Sequence, residues 1–172
     1  MKRDATSTAL RRSGIPGQYC RPELTLGSIP QGAPYLQWIN GSLRSAIREG
    51  GVVEILGESI DALNLYYLGL RAMVLGQHAC QALHVQELLD QEQREDVNER
   101  LHNVFVLGVR GLCEDESLSA SQAGYLGWFL ESWLHGPGVV VMLNASPFSQ
   151  AHKFSPLVRA SFRAQTKLTL NV

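Results

Sequence analysis

Short apolar segments that alternate with helical patterns constrain the fold of this chain more than any other feature. Most of these segments are apolar on both faces, which is typical of strands buried on both sides in a parallel sheet. Parallel neighbours need long crossover connections, and the intervening stretches have the apolar spacing of amphipathic helices. The alternation predicts an α/β three-layer sandwich with a mostly parallel five-stranded sheet. The predicted strands are residues 52–56, 79–84, 104–107, 139–143 and 167–170.

Capping residues mark the ends of several helices. Ser119 and Gln122 have the spacing of a capping box, and the helix that they open is predicted to stop before Gly136. Ser155 followed by Pro156 favours the start of a short helix. The remaining helical patterns and their predicted bounds are 38–49, 59–75, 87–101 and 155–162.

The helix opened at Ser119 carries an aromatic set of four residues, Tyr125, Trp128, Phe129 and Trp133. Such a set can serve as a stacking surface for nucleic-acid bases. Aromatic residues at helical spacing more often face a hydrophobic core. We therefore predict that these four side chains belong to the core.

A length of 172 residues suits one domain with a substantial core. Residues 1–34 are rich in Gly, Pro and Ser and are predicted to form an irregular lead-in packed on a core domain of residues 35–172. No apolar run reaches the length of a membrane span, and no apolar h-region follows the start, so we expect a cytoplasmic protein. The three scattered cysteines are typical of reduced thiols, and no Cys or His spacing suits a metal site.

The net charge of −1 is unevenly distributed along the chain. Residues 1–22 sum to +4, residues 23–144 to −9 and residues 145–172 to +4. Two basic ends around an acidic middle are compatible with DNA or another phosphate-bearing partner at the termini. Ordinary solvated charge explains the same pattern equally well.

The opening of the chain resembles a known family. Residues 12–19 read Arg-Ser-Gly-Ile-Pro-Gly-Gln-Tyr, a Leu-Thr-Leu step follows at 24–26, and a predicted helix at 38–49 precedes the first strand. This order resembles the DnaC/IstB-type AAA+ helicase loaders over essentially the whole chain from about residue 12. The resemblance implies an AAA+/RecA-like P-loop NTPase core, with its nucleotide site at the carboxyl ends of the strands.

The phosphate loop that this resemblance implies lacks the residues that bind phosphate and magnesium. Its working form, G-x-x-x-x-G-K-[ST], wraps the phosphates in backbone N–H groups, and its Lys neutralises their charge. Here Ala62 replaces the second Gly, Leu63 the Lys and Asn64 the hydroxyl residue, and Glu58 and Asp61 add negative charge. Two like charges about 4 Å apart repel by roughly 1 kcal/mol even in water. The loop is therefore predicted to reject ATP. Its residues are Gly57, Glu58, Ser59, Ile60, Asp61, Ala62, Leu63 and Asn64.

The acidic motif that holds magnesium in this family is also missing. The family's third strand ends in Asp followed by Asp or Glu, whereas this chain has Gly108 and Val109 after a strand predicted to end at Leu107. Arg110 adds positive charge where magnesium would lie. Loss of both motifs predicts that the chain does not hydrolyse ATP and holds no cofactor. If nucleotide still binds, Arg110 or Arg71 would have to replace the missing Lys.

Three other residues match the family's pattern. Asn144 takes the position of the polar sensor at the end of the fourth strand, although a plain strand-end turn residue is an equally good explanation. Arg159 and Arg163 resemble the late-helix arginines that reach a neighbouring subunit's nucleotide. They lie at i,i+4 and share one helix face, so they are candidates for partner binding or simply part of a solvated face.

Three functions are compatible with these residues. The first is a catalytically inactive AAA+-like protein that binds a protein partner in DNA replication or mobile-element DNA handling. Its expected partner is an AAA+ helicase loader, a replicative helicase or a transposase. The second is an ATP-binding protein or ATPase with a non-standard phosphate loop, which would use ATP and magnesium. The third is a structural subunit of another machine that reuses the fold.

Overall fold

A single parallel sheet organises the molecule. The computed structural model describes residues 2–90, 94–113 and 118–172, with residues 2–5 described as backbone only. All paired strands are parallel, in the order β2-β3-β4-β1-β5. This confirms the predicted α/β architecture. The strands are β1 (Gly51–Leu56), β2 (Cys80–His84), β3 (Val106–Arg110), β4 (Val139–Asn144) and β5 (Thr166–Asn171).

Helices cover both faces of the sheet. The longest are α2 (Gly32–Glu49), α3 (Ile60–Leu75) and α6 (Ala120–Leu134). Alternation along each strand sends successive side chains to opposite faces. One core therefore forms between the sheet and α2 with α3, and a second between the sheet and α6 with α7. The remaining helices are α1 (Lys2–Arg12), α4 (Val85–Leu89), α5 (Arg94–Leu101) and α7 (Pro156–Gln165), with 3-10 turns at Gly17–Cys20, Leu26–Ser28 and Phe148–Gln150.

The N-terminal segment is more ordered than its composition suggests. Residues 2–12 form helix α1, which corrects the prediction of an irregular segment there. Leu10 is buried in the first core, and the carbonyl of Ser13 accepts a 2.8 Å hydrogen bond from the N–H of Ala82 on the edge strand β2. Covering an exposed sheet edge in this way blocks pairing with other chains. The boundary between a lead-in and a core domain at residue 34 remains a prediction, although α2 already begins at Gly32.

Two predicted elements have different bounds in the structure. β3 runs from Val106 to Arg110 because its ladder with β2 pairs Cys80 with Val106 and His84 with Arg110. Gly108 and Val109 are thus inside the strand, and the prediction that the strand ends at Leu107 is wrong. The helix predicted over 87–101 is divided into α4 and α5, and residues 91–93 between them lie outside the described part of the chain.

The aromatic set on α6 does not form the core face of that helix. The buried positions are Ala123, Leu126, Gly127, Leu130 and Leu134. Trp128 is 66% exposed, and the other three aromatic side chains are half-buried. Phe129 and Trp133 pack against the second core, so the core prediction holds in part for them and is wrong for Trp128. The reason is that α6 is apolar on two faces, and helical periodicity does not say which of them meets the sheet.

Candidate functional site

The carboxyl edge of the sheet is where open α/β sheets bind ligands. Gly57 follows β1 at this edge, Arg110 ends β3 and Asn144 ends β4. The first two line a cavity of about 420 Å³. The structure therefore brings part of the predicted phosphate loop together with Arg110. The lining residues are Gly57, Glu58, Ser59, Ile60, Leu63, Arg110 and Leu143.

The loop is closed by its own hydrogen bonds. Helix α3 begins at Ile60, two residues before the position of the second glycine. Ser59 caps it: its Oγ accepts the N–H of Ala62 at 3.1 Å, and its carbonyl accepts the N–H of Leu63 at 3.2 Å. The N–H of Gly57 donates to the carbonyl of Asn144 at 3.0 Å. The N–H groups of Gly57, Ala62 and Leu63 are thus already used within the protein.

Packing explains Gly57 without any phosphate. A Cβ at this position would lie 2.6 Å from the carbonyl oxygen of Val172 and 3.1 Å from the Cβ of Ala62. The same terminal residue donates its N–H to the carbonyl of Leu56 at 2.9 Å. Close approach of β5 to the end of β1 therefore requires glycine here.

The two acidic residues of the loop have different surroundings. Glu58 is exposed, whereas Asp61 is half-buried in the first turn of α3. A carboxylate in the first turn stabilises a helix through its dipole. Within the described residues, neither acid forms an ion pair with Arg110. Asp61 thus favours the helix and disfavours an anionic ligand at the same place.

Large side chains fill the space beside Gly108, the position at which the resemblance places the missing acid. A Cβ added to Gly108 would lie 2.7 Å from the Cδ1 of Leu70 and 2.7 Å from the hydroxyl oxygen of Tyr66. Tyr66 is fully buried, and its hydroxyl has no hydrogen-bond partner among the described residues. Burial raises the pKa of Tyr66 well above its ordinary value, so the phenol stays neutral. An Asp at 108 has no room, and the residues present do not fit Mg-ATP.

Only one of the two candidate substitute cations reaches this cavity. Arg110 lines it and lies against Tyr67, where burial raises the phenol pKa and the guanidinium opposes that rise. Arg71 instead donates from Nη1 to the carbonyls of Arg21 at 2.6 Å and Leu24 at 2.9 Å. It attaches the N-terminal segment to α3 and takes no part in the site.

Asn144 lies at the strand end, as predicted, but away from the cavity lining. It is fully buried, and neither Oδ1 nor Nδ2 has a partner among the described residues. Strand alternation directs it to the face opposite Leu143, which does line the cavity. Its role as a sensor therefore stays a prediction.

The late-helix arginines differ from each other. Arg159 is half-buried and donates from Nη1 to the carbonyl of Ser149 at 3.1 Å. Arg163 is exposed and lines a second cavity of about 250 Å³ beside Glu54. Of the two, Arg163 is the more available to a partner.

Sequence reasoning missed Glu54, a buried acid in the interior strand β1. Its Oε1 accepts the N–H of Phe148 at 2.6 Å, and burial raises its pKa above the ordinary value. The available signal was a single acid inside the apolar segment 52–56. Such a residue must find a partner when buried, and here it anchors the turn after β4 to the sheet.

The sheet order, the helices on both faces and a strand–loop–helix unit at the carboxyl edge define a P-loop NTPase-type α/β fold. No protein-family model and no curated protein matches the sequence. Similar solved structures do exist, and of the three described next one is from a replication initiation protein and one is a helicase loader.

Domain III of the Thermotoga maritima replication initiation protein DnaA has a TM-score of 0.66 at 11% identity, over 87% of this chain and 68% of that chain. The DnaC helicase loader has a TM-score of 0.62 at 14% identity, over 82% of this chain and 87% of that chain. DnaI has a TM-score of 0.63 at 8% identity, over 94% of this chain and 96% of that chain. The chain therefore has the AAA+ fold of the DnaA, DnaC and DnaI type, as the sequence predicted. Among the described residues, no helix is long and apolar enough to cross a membrane.

Proposed function

We propose that this chain is a catalytically inactive AAA+-like protein that acts by binding another protein in DNA replication or mobile-element DNA handling. The observation that carries the proposal is that two parts of the expected Mg-ATP site do not suit that ligand. Ser59 caps α3 at the start of the loop helix, and Tyr66 with Leu70 leaves no room for a side chain at position 108, where the resemblance places the first acid.

Hydrolysis needs a held triphosphate and a metal that neutralises the developing charge. The loop has no Lys to hold the phosphates, and an Asp at 108 would collide with the core. Arg110 can attract an anion, yet a guanidinium neither polarises an attacking water as a metal does nor replaces a carboxylate. These losses are independent of each other, and together they support a role in binding without turnover.

The partner we propose is an AAA+ helicase loader, a replicative helicase or a transposase. The fold supports this kind of partner, since one similar structure is described as a helicase loader and another as a replication initiation protein. Arg163 is the leading contact because it is exposed, with Arg159 as a secondary one. Exposed arginines of this kind contribute to partner choice through charge complementarity.

Titration with a fluorescent ATP analogue and magnesium, read with thermal stability, tests catalytic inactivity. We expect no magnesium-dependent binding at millimolar nucleotide and no ATP turnover. The triple change Ala62→Gly, Leu63→Lys and Asn64→Thr restores the loop residues and serves as the positive comparison. Magnesium-dependent binding to the native chain that Arg110→Ala abolishes would show that the proposal is wrong.

The binding role is tested on the same preparation with a purified helicase loader, helicase or transposase from the source organism. We expect a stable complex that does not require nucleotide, and roughly tenfold weaker binding after Arg159→Ala with Arg163→Ala. Arg12→Ala, an exposed cation on α1, is the matched control. Equal affinity for the native chain and the double variant would eliminate this docking surface.

One observation favours a second function. Arg110 lies in a cavity of about 420 Å³ beside the loop, so a single cation is available to an anion there. This supports an ATP-binding protein with a non-standard phosphate loop. We rank it second because Glu58 lines the same cavity and three of the loop amides are already bonded.

A further inference from the structure

A cavity of about 580 Å³ opens at the amino edge of the sheet, the edge opposite the loop that follows β1. Ala79, just before β2, and Phe105, just before β3, lie on its wall. Its other lining residues come from the end of α2 and the turn after α3. They are Arg44, Ile47, Arg48, Gln77 and His78.

The two arginines are unusual for the region of chain they occupy. Residues 23–144 have fifteen acidic and six basic residues. Four of the basic residues contact other groups of the protein. In contrast, Arg44 and Arg48 have no hydrogen-bond or ion-pair partner among the described residues. The four engaged residues are Arg71 on two carbonyls, Arg94 over the ring of Tyr125, Arg100 on two carboxylates and Arg110 against Tyr67.

Helix stability explains only part of this arrangement, since Arg48 lies in the last turn of α2, where a cation favours the helix dipole. Arg44 and Arg48 are exposed and lie at i,i+4 on α2, where like charges destabilise a helix. Two guanidinium groups at this spacing can grip one phosphate, since each presents a planar set of N–H donors. Their placement at the mouth of a cavity therefore points to an anionic ligand.

An aromatic ring adds a second feature. Phe105 is 43% exposed at the wall of the same cavity, although a phenyl ring gains by burial. A flat apolar face beside two cations suits the base of a nucleotide, because every base can stack on an aromatic side chain. A phosphorylated peptide would use the cations and leave the ring without a role.

Polar groups with hydrogen-bonding capacity complete the wall. Gln77 adopts φ 68°, the left-handed conformation for which helix ends usually use glycine. Its amide offers both a donor and an acceptor to a base edge. Burial and the nearby Arg44 lower the pKa of His78, so the imidazole is neutral near pH 7 and can also accept a hydrogen bond.

We propose that this amino-edge cavity binds a nucleoside phosphate, with Arg44 and Arg48 on the phosphate and the base stacked on Phe105. The volume lies within the range of small-ligand pockets, roughly 300–1,000 Å³. The ligand is either a free mononucleotide or one unit of a single-stranded nucleic acid, which share this chemistry. The site is independent of the inactive loop, since the two lie at opposite edges of the sheet.

Fluorescence anisotropy with a labelled ten-residue oligothymidylate, without magnesium, tests the site. We expect Arg44→Ala with Arg48→Ala to weaken binding about tenfold or more, and to reduce the magnitude of the slope of log affinity against log salt by about one. Phe105→Leu keeps the wall apolar and removes the ring, and we expect a loss on the order of tenfold. Unlabelled thymidine monophosphate as competitor identifies a free nucleotide as ligand; competition by the oligonucleotide alone identifies a strand.

Two control variants keep the outcome clear. Arg94→Ala with Arg100→Ala removes the same charge from α5, away from the basic ends of the chain, and we expect less than about a twofold change in affinity. Arg44→Lys with Arg48→Lys keeps the charge and the fold but loses the planar donors, and we expect an intermediate loss. No binding, an equal loss in the α5 control, or full affinity after Phe105→Leu in a folded protein would each overturn the proposal.

Discussion

The carboxyl and amino edges of the sheet differ in the groups that they offer to a ligand. At the carboxyl edge, three loop amides and the space beside Gly108 are used by the protein itself, and the loop has no Lys. At the amino edge, Arg44 and Arg48 have no hydrogen-bond or ion-pair partner among the described residues, and Phe105 remains partly uncovered. The family-typical site thus lacks the groups that hold Mg-ATP, whereas the amino edge offers two cations to a ligand.

This difference shows that position in a fold does not establish function. The carboxyl edge is where this architecture usually binds ligands because strand ends and helix N-termini converge there. Those advantages depend on free donors and on positive charge, and this loop has no Lys and bonds three of its amides within the protein. Unsatisfied charge and uncovered apolar surface are better guides to binding, wherever the fold puts them.

The largest effect is expected from Gly108→Asp, which restores the missing acid. The new side chain would collide with Leu70 and Tyr66 and would bury a charge, so the free energy of unfolding should fall by about 3 kcal/mol or more. Urea denaturation measures this. Gly124→Asp on α6 is the control, because a Cβ there meets no atom within 4 Å. A stable Gly108→Asp variant that binds magnesium would remove the contrast between the two edges.

A smaller effect is expected from Asn144→Leu. The amide is fully buried with both polar atoms unpaired among the described residues. Replacement by an apolar side chain of similar size should raise the free energy of unfolding by about 1 kcal/mol. Asn64→Leu, at a half-exposed position in α3, should change it little. A clear loss of stability at 144 would mean that the amide has a partner, such as a buried water or a ligand, and that this edge retains a binding function.

The smallest effect concerns the amino edge. Arg44→Glu replaces a repulsive i,i+4 pair on α2 with an attractive one, so thermal or urea unfolding should show a gain of about 0.5 kcal/mol. Arg44→Gln removes only the repulsion and should show about half of that gain. A loss of stability in both variants would indicate that Arg44 has a structural role, and the amino edge would then resemble the carboxyl edge.

Much of the fold could be predicted from local patterns. The strands around Val53 and Val141 are short, apolar and flanked by helical spacing. Ser119 and Ser155 were predicted to cap helices, and both do so in the structure. The missing Lys at Leu63 is a fact of sequence. Alternation of short apolar segments and helices leaves few arrangements other than a parallel sheet covered on both faces.

The wrong predictions concern features that depend on contacts with other parts of the fold. β3 extends to Arg110 because β2 supplies ladder partners for it, and Trp128 faces outward because the other apolar face of α6 meets the sheet. By sequence, Arg71 and Arg110 are equally good candidates for a substitute cation. In the structure, Arg71 donates hydrogen bonds to the N-terminal segment instead. The local periodicity of apolar residues does not say which of two similar surfaces will pack against the rest of the protein.

Residue order alone thus specified the architecture and the absence of the phosphate-binding Lys, since both follow from spacing and from the chemistry of single side chains. Tertiary structure decided which groups are free. It placed Tyr66 in the space beside Gly108, and it brought Arg44, Arg48 and Phe105 together from separate stretches of chain. Burial and pairing depend on contacts between distant residues, and those contacts exist only once the chain has folded.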